Sequence, residues 1–198
     1  HEESVANETV TSTVETIPYV EAHFFVNTNT ELHKIPIEKM LYFVVKIVDA
    51  EGPVHQEEVS RRIASLSGVK RSGSRINKAV AAALSLASRN GNVQQSGQYF
   101  QPIGQEKVPI RNRENVNSAT LRKPDYLPPI ETQTAILAVV REHFGVTREE
   151  GVTAVARLFG FKSTRAQFRQ LVEEGIQLLL NAGVLEERNG TLYSINND

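Results

Sequence analysis

Apolar positions recur at helical spacing in three successive stretches, then alternate, and the chain does this twice. In the first round Ile37, Met40, Leu41, Val44, Val45 and Val48 mark one face of a helix reaching about Ala50, with Pro36 suited to its first turn. Glu51-Gly52-Pro53 breaks that helix. Val54 leads into a second helix over Gln56 to Ser67, whose buried stripe is Val59, Ile63 and Leu66. Gly68 stops it, and a third helix begins near Ser74 with the ladder Ile76, Val80, Leu84 and Ala87. Val93 to Ser96 and Gln98 to Phe100 then flank Gly97 as a hairpin.

A shift of 92 residues brings Val54 onto Val146, Glu57-Glu58 onto Glu149-Glu150, Leu66 onto Leu158 and Gly68 onto Gly160. It also brings Lys70 onto Lys162, Val80 onto Val172, Leu84 onto Ile176 and Gly91 onto Gly183. Spacing preserved by role identifies two copies of one supersecondary unit. In the second copy Pro128-Pro129 precedes a helix from about Glu131 to His143, and Thr147-Arg148-Glu149-Glu150 is a capping box. The next helix ends at Leu158, Gly160 turns the chain, Thr164 to Asn181 forms the last helix, and Asn189-Gly190 signals a type I′ hairpin.

Three helices followed by a hairpin predict a winged helix-turn-helix, although any small α+β domain can show helices and a hairpin. The expected fold class is mainly α with short β-hairpins (α+β), built as tandem winged helix-turn-helix units. The expected organisation is a flexible acidic arm over 1–18, a first unit over 19–104, a basic linker over 105–127 and a second unit over 128–198. Tyr19 to Val26, dense in Tyr, Val and Phe, reads as a strand leading the first unit.

A length of 198 residues suits two small domains, and a hydrophobic share of 40% suffices for buried cores. The absence of cysteine excludes disulfides, thiolate metal sites and a Cys nucleophile. No apolar run reaches the roughly 18 residues of a membrane span and no signal-peptide pattern opens the chain, so a cytoplasmic protein without membrane partners is expected. Position 1 is His rather than Met, so the chain can be a piece of a longer polypeptide.

The net charge of −1 conceals a polarised distribution. Residues 1–60 hold 3 basic and 11 acidic side chains, residues 61–123 hold 12 and 2, and residues 124–198 hold 7 and 10. A strongly basic middle is the footprint of an anionic partner. At about 100° per residue, the third helix of the first copy turns Arg71, Lys78, Ala82, Ser85 and Arg89 away from its apolar ladder, with Ser74 and Arg75 on the flanks. Cations supply phosphate contacts, and Ala and Ser permit close approach to a groove. A solvated face normally mixes signs, yet no acidic residue occurs from Arg61 to Gln105. The equivalent face of the second copy carries Gln170, Glu174, Gln177 and Asn181, which suits packing or protein docking rather than phosphate.

Between the copies, Lys107, Arg111, Arg113, Arg122 and Lys123 stud a segment of little periodicity, readable as a backbone-tracking arm or as a solvated linker. Lys70, Arg71, Ser74, Arg75, Lys78, Arg89, Arg111 and Arg113 are therefore the candidate nucleic-acid-binding residues. Gly68 and Gly73 have phosphate-loop spacing, but the Lys before Ser74 is missing and no strand leads in. The five histidines lack metal-ligand spacing, and His55 reads as a helix cap. Glu57-Glu58 and Glu149-Glu150 sit in first helical turns, where the helix dipole favours negative charge. No catalytic residues, metal, cofactor or small-molecule substrate are expected, and the chain reads as non-enzymatic.

At Glu51-Gly52-Pro53-Val54-His55, Arg62-Ile63 and Lys70-Arg71-Ser72-Gly73-Ser74-Arg75-Ile76, the chain resembles an uncharacterised bacterial family. That family forms the C-terminal region of large superfamily 1 helicase-like proteins, which often carry a very-short-patch-repair-like nuclease domain. The resemblance continues through Val108-Pro109-Ile110-Arg111-Asn112-Arg113, Pro128-Pro129-Ile130-Glu131 and Leu158-Phe159-Gly160-Phe161-Lys162. It implies an accessory module of a DNA- or RNA-handling motor, with defence against foreign DNA as one setting; the motor and nuclease motifs are absent here. Two expectations follow. One is a module binding nucleic acid, duplex DNA favoured, through the third helix of the first unit. The other is a docking or dimerisation module of a parent helicase-like protein, with Tyr19–Val26 as a candidate edge and the acidic residues of 1–22 as a candidate decoy for the basic surface.

Overall fold

The computed structural model describes residues 14–26 and 30–195. Most of the acidic arm, residues 1–13, lies outside the described residues. The first half consists of α1 (Ile37–Glu51), β2 (Val54–His55), α2 (Gln56–Leu66), α3 (Ser74–Arg89), β3 (Val93–Ser96) and β4 (Tyr99–Pro102). The second half repeats that order with α4 (Pro129–Glu142), β6 (Val146–Thr147), α5 (Arg148–Leu158), α6 (Ala166–Asn181), β7 (Leu185–Arg188) and β8 (Thr191–Ser194). Two further short strands, β1 (Ile17–Pro18) and β5 (Arg111–Asn112), pair in parallel outside both halves. The protein is thus mixed α/β, with six α-helices and two three-stranded antiparallel sheets among the described residues. No helix is long and apolar enough to cross a membrane among them.

The 92-residue register holds through the hairpins. In each half the first strand pairs with the last, giving the orders β2-β4-β3 and β6-β8-β7, with Val54 opposite Phe100 and Val146 opposite Leu192. Each half has its own core. Met40, Val44, Ile47, Ile63, Val80 and Leu84 fill the first, and Ile136, Val139, Val155, Phe168, Val172 and Ile176 fill the second. Local chemistry explains the shared boundaries. His55 Nδ1 accepts from the Glu57 amide at the start of α2, and Thr147 with Glu150 forms a reciprocal capping box at the start of α5. Gly68 and Gly160 take φ of +72° and +78°, so Val69 N–H and Phe161 N–H can fold back onto Ala64 O and Ala156 O at 2.8 Å. The Asn189-Gly190 hairpin has positive φ at both central residues, as a type I′ turn requires.

Two expectations fail here. Tyr19 to Val26 is not a strand; the parallel pairing of β1, where Ile17 N–H donates to Ile110 O at 3.0 Å, ends at Tyr19, whose N–H donates to Asn112 O at 2.8 Å. Tyr19, Ala22 and Val26 are buried and residues 22–26 alternate, yet they join no sheet, because this segment is tied to α1 instead. Tyr19 Oη donates to Glu51 Oε2 at 2.9 Å and Ala22 N–H donates to Glu51 Oε1 at 2.8 Å.

The second failure concerns the basic linker. Residues 105–127 form β5 and two 3-10 turns, Ala119–Arg122 and Pro124–Tyr126, with Val108, Ile110, Val116, Leu121 and Leu127 buried. Arg111 and Arg113 are 5% and 1% exposed, so neither can reach a phosphate. Both grip Glu131 at the start of α4, through contacts of 2.7 to 2.9 Å. Arg111 also donates to the carbonyls of Glu51 and Pro53 at the end of α1, and Arg113 stacks on Phe159 at the end of α5. Burial alone would raise the Glu131 pKa, but Arg113 and Arg111 outweigh it and hold the carboxyl below its usual range. Tyr19 lies against both guanidiniums, and burial first, then Glu51, pushes its hydroxyl well above the usual pKa. These two arginines are internal couplers between the halves.

Candidate nucleic-acid interface

The remaining candidate residues gather on one surface of the first half. Lys70 and Arg71 lie on the turn between α2 and α3, Ser74, Arg75 and Lys78 on the first turns of α3, and Arg89 at its far end; all six are exposed. The turn opens outward because Gly68 meets no atom within 4 Å of where a Cβ would stand. Val80, Ala83, Leu84 and Ala87 are fully buried, which fixes the rotation of α3 and points the cationic stripe away from the core.

Among the described residues, none of Lys70, Arg71, Arg75, Lys78 and Arg89 forms an ion pair. Glu31 lies near Arg75; a hydrogen bond from Lys34 chiefly lowers its pKa, with a smaller contribution from Arg75. The N-cap of α3 is Gly73, which supplies no side-chain acceptor, so the positive end of the helix points at the same surface.

A cleft of about 450 Å³ adjoins this surface, between the α2–α3 turn and the connecting segment. Lys70 and Arg71 line one side, Asn117 and Ser118 the other, with Arg61, Arg62 and Glu21 at its base. Arg61 and Arg62 are committed elsewhere. Arg61 bonds Glu58 at 2.6 Å and Glu57 at 3.0 Å, while Arg62 Nε donates to Glu51 at 2.6 Å and its Nη1 pairs with Glu21. The paired carboxylates of the first half are therefore structural. Glu58 is 1% exposed and also accepts from Ser118 and Thr120 of the connecting segment.

The same positions in the second half are chemically different. Arg71, Arg75, Lys78 and Arg89 correspond to Ser163, Gln167, Gln170 and Asn181, and Ala82 corresponds to Glu174. Gln170 and Gln177 donate along α6 to Glu174 and Asn181 at 2.9 Å. Two of the cations that remain nearby are spent, since Arg169 pairs with Glu149 and Arg148 with Glu173 and Glu187, while Lys162 and Arg165 on the turn form no ion pair among the described residues.

A protein-family model described as "Protein of unknown function (DUF3320)" matches residues 30–78, from just before α1 into the first turns of α3. The matched stretch ends on Lys70, Arg71, Ser74, Arg75 and Lys78. No curated protein and no solved structure matches the chain.

Proposed function

We propose that the chain is a pair of winged helix-turn-helix units that binds duplex nucleic acid, DNA favoured, as a non-catalytic accessory module of a larger helicase- or nuclease-type protein. The helix–strand–helix–helix–hairpin order supports the winged-helix reading in each half. The observation that carries the binding assignment is the stripe Lys70, Arg71, Arg75, Lys78 and Arg89, exposed and free of ion pairs among the described residues. A protein that keeps five cations on one surface without counter-ions leaves them for an anionic partner. Small side chains at Ala81, Ala82 and Ser85 let the helix backbone approach a groove. Ser74 adds a hydroxyl donor at the helix start.

The test is a fluorescence-anisotropy titration of a labelled duplex across a range of salt concentrations. Affinity falls linearly on a log–log plot, by about 0.9 per phosphate contact. Replacing Arg71, Arg75 and Lys78 with Ala flattens the slope by about 2.7, that is about 0.9 for each cation removed. An unchanged slope rejects the assignment. Failure of the wild-type chain to bind duplex even at low salt leaves the docking reading in its place.

A further inference from the structure

A cleft of about 750 Å³ lies in the second half, where the connecting segment faces the α5–α6 turn. It is the 92-residue counterpart of the cleft beside Lys70 and Arg71, since Gly160 to Ser163 take the places of Gly68 to Arg71. Lys162 and Arg165 enter from the turn, and Arg122 and Lys123 from the connecting segment. All four are exposed, and none forms an ion pair among the described residues. Arg122 reaches only the Glu114 carbonyl, at 3.5 Å. The carboxylates of Glu114 and Asp125 also line the cleft, leaving a formal balance of +2. Its inner wall is aromatic. Phe161 is half-buried, braced edge-on by Phe168 at 5.3 Å between ring centroids, and occupies the position held by Val69 in the first half.

We infer that this cleft binds single-stranded nucleic acid, with Arg122, Lys123, Lys162 and Arg165 on the phosphates and Phe161 under a base. Four cations around an aromatic wall match the combination by which strand-binding proteins hold phosphates and stack bases without reading sequence. A concavity of this size admits one or two nucleotides but not the rigid width of a duplex, whereas the convex α3 stripe suits a duplex and not a buried base. Both clefts are bordered by the connecting segment, Ser118 lining one and Ala119 the other. The strand site is a second site beyond the duplex assignment and stands or falls separately from it.

The test uses the whole chain with a labelled oligo-dT strand and, in parallel, a labelled duplex. Wild-type protein binds both. Replacing Arg122, Lys123, Lys162 and Arg165 with Ala flattens the single-strand salt slope by about 0.7 per cation while leaving duplex binding unchanged. Phe161→Leu keeps an apolar side chain against Phe168 and lowers strand affinity at least about fivefold without altering the slope. The Arg71, Arg75 and Lys78 replacements do the reverse, flattening the duplex slope and sparing the strand. Strand binding with no duplex binding overturns the duplex assignment and supports this one. Absent strand binding, an unaffected quadruple variant, equal loss of strand and duplex, or displacement of the strand by free mononucleotide at low excess each overturns the strand site.

Discussion

Helices α3 and α6 occupy equivalent places in two halves that keep one register for their entire length. Inside, the correspondence is close: Val80 and Val172, Leu84 and Ile176, and the glycines after each helix fill the same roles. Outside, α3 presents Arg75, Lys78 and Arg89 where α6 presents Gln167, Gln170 and Asn181. Core packing tolerates few changes, because each buried side chain touches many neighbours, whereas an exposed position costs little to alter. The duplicated scaffold therefore holds its geometry while the two surfaces diverge in charge. A second difference lies at the helix–helix turns. Gly68 faces open space, but Gly160 is roofed by the connecting segment, with Arg113 N–H donating to Phe159 O at 2.9 Å. The connecting segment bonds both halves, but it covers the turn of the second and leaves that of the first uncovered beside its cleft.

The largest expected effect comes from breaking the joint that imposes this asymmetry. Glu131→Ala leaves Arg111 and Arg113 buried without their counter-charge, and a loss of about 3–5 kcal/mol in denaturant-derived stability is expected. The halves then unfold in two steps rather than one, which separate probes of each half detect. The joint also sets an acid limit. With the Glu131 pKa lowered in the folded state, the unfolded chain binds more protons in the acid range, so this contribution is complete above the unfolded value of about 4.3. It is lost as pH falls through the lower folded value. Glu131→Ala removes that portion of the acid sensitivity, and an equally steep acid transition in the variant would show that the pair does not govern it.

Sequence periodicity was enough to locate all six helices, both hairpins, the capping box and the His55 cap, since each is written in residues within a few positions of one another. The outward face of α3 follows from the same local geometry. The fate of Arg111 and Arg113 is not legible in the sequence, because their partner Glu131 is 20 and 18 residues away. One signal was available. Val108, Ile110, Val116, Leu121 and Leu127 place an apolar residue every few positions through the supposed linker, and all five are buried. A solvated arm has no use for them. Tyr19–Val26 misled for the opposite reason: its strand-like composition serves burial against Glu51 rather than a ladder.

An intermediate effect separates the two turns. Gly68→Ala is expected to cost about 1–2 kcal/mol, the ordinary penalty for a left-handed alanine. Gly160→Ala carries the same penalty, and its Cβ would stand 2.5 Å from Asn112 Oδ1 and 2.8 Å from the Glu114 amide. Overpacking of that kind adds about 1–3 kcal/mol. Thermal melts of the two variants compare them directly, and equal losses would mean that the connecting segment does not press on the second turn as described.

The smallest change in stability bears most directly on function. Ser163→Arg, Gln167→Arg, Gln170→Lys and Glu174→Ala together copy the surface of the first half onto the second. All four positions are exposed, so stability should move by no more than about 0.5 kcal/mol per substitution. If the cationic stripe on this scaffold is what holds a duplex, the combined variant steepens the duplex salt slope by about 0.9 for each new phosphate contact. It should also restore binding when introduced beside the Arg71, Arg75 and Lys78 replacements. A variant that folds normally yet gains no slope would show that the stripe alone is insufficient. The difference between the halves would then have to lie in what surrounds it, where the open turn at Gly68 and the roofed one at Gly160 are the remaining distinction.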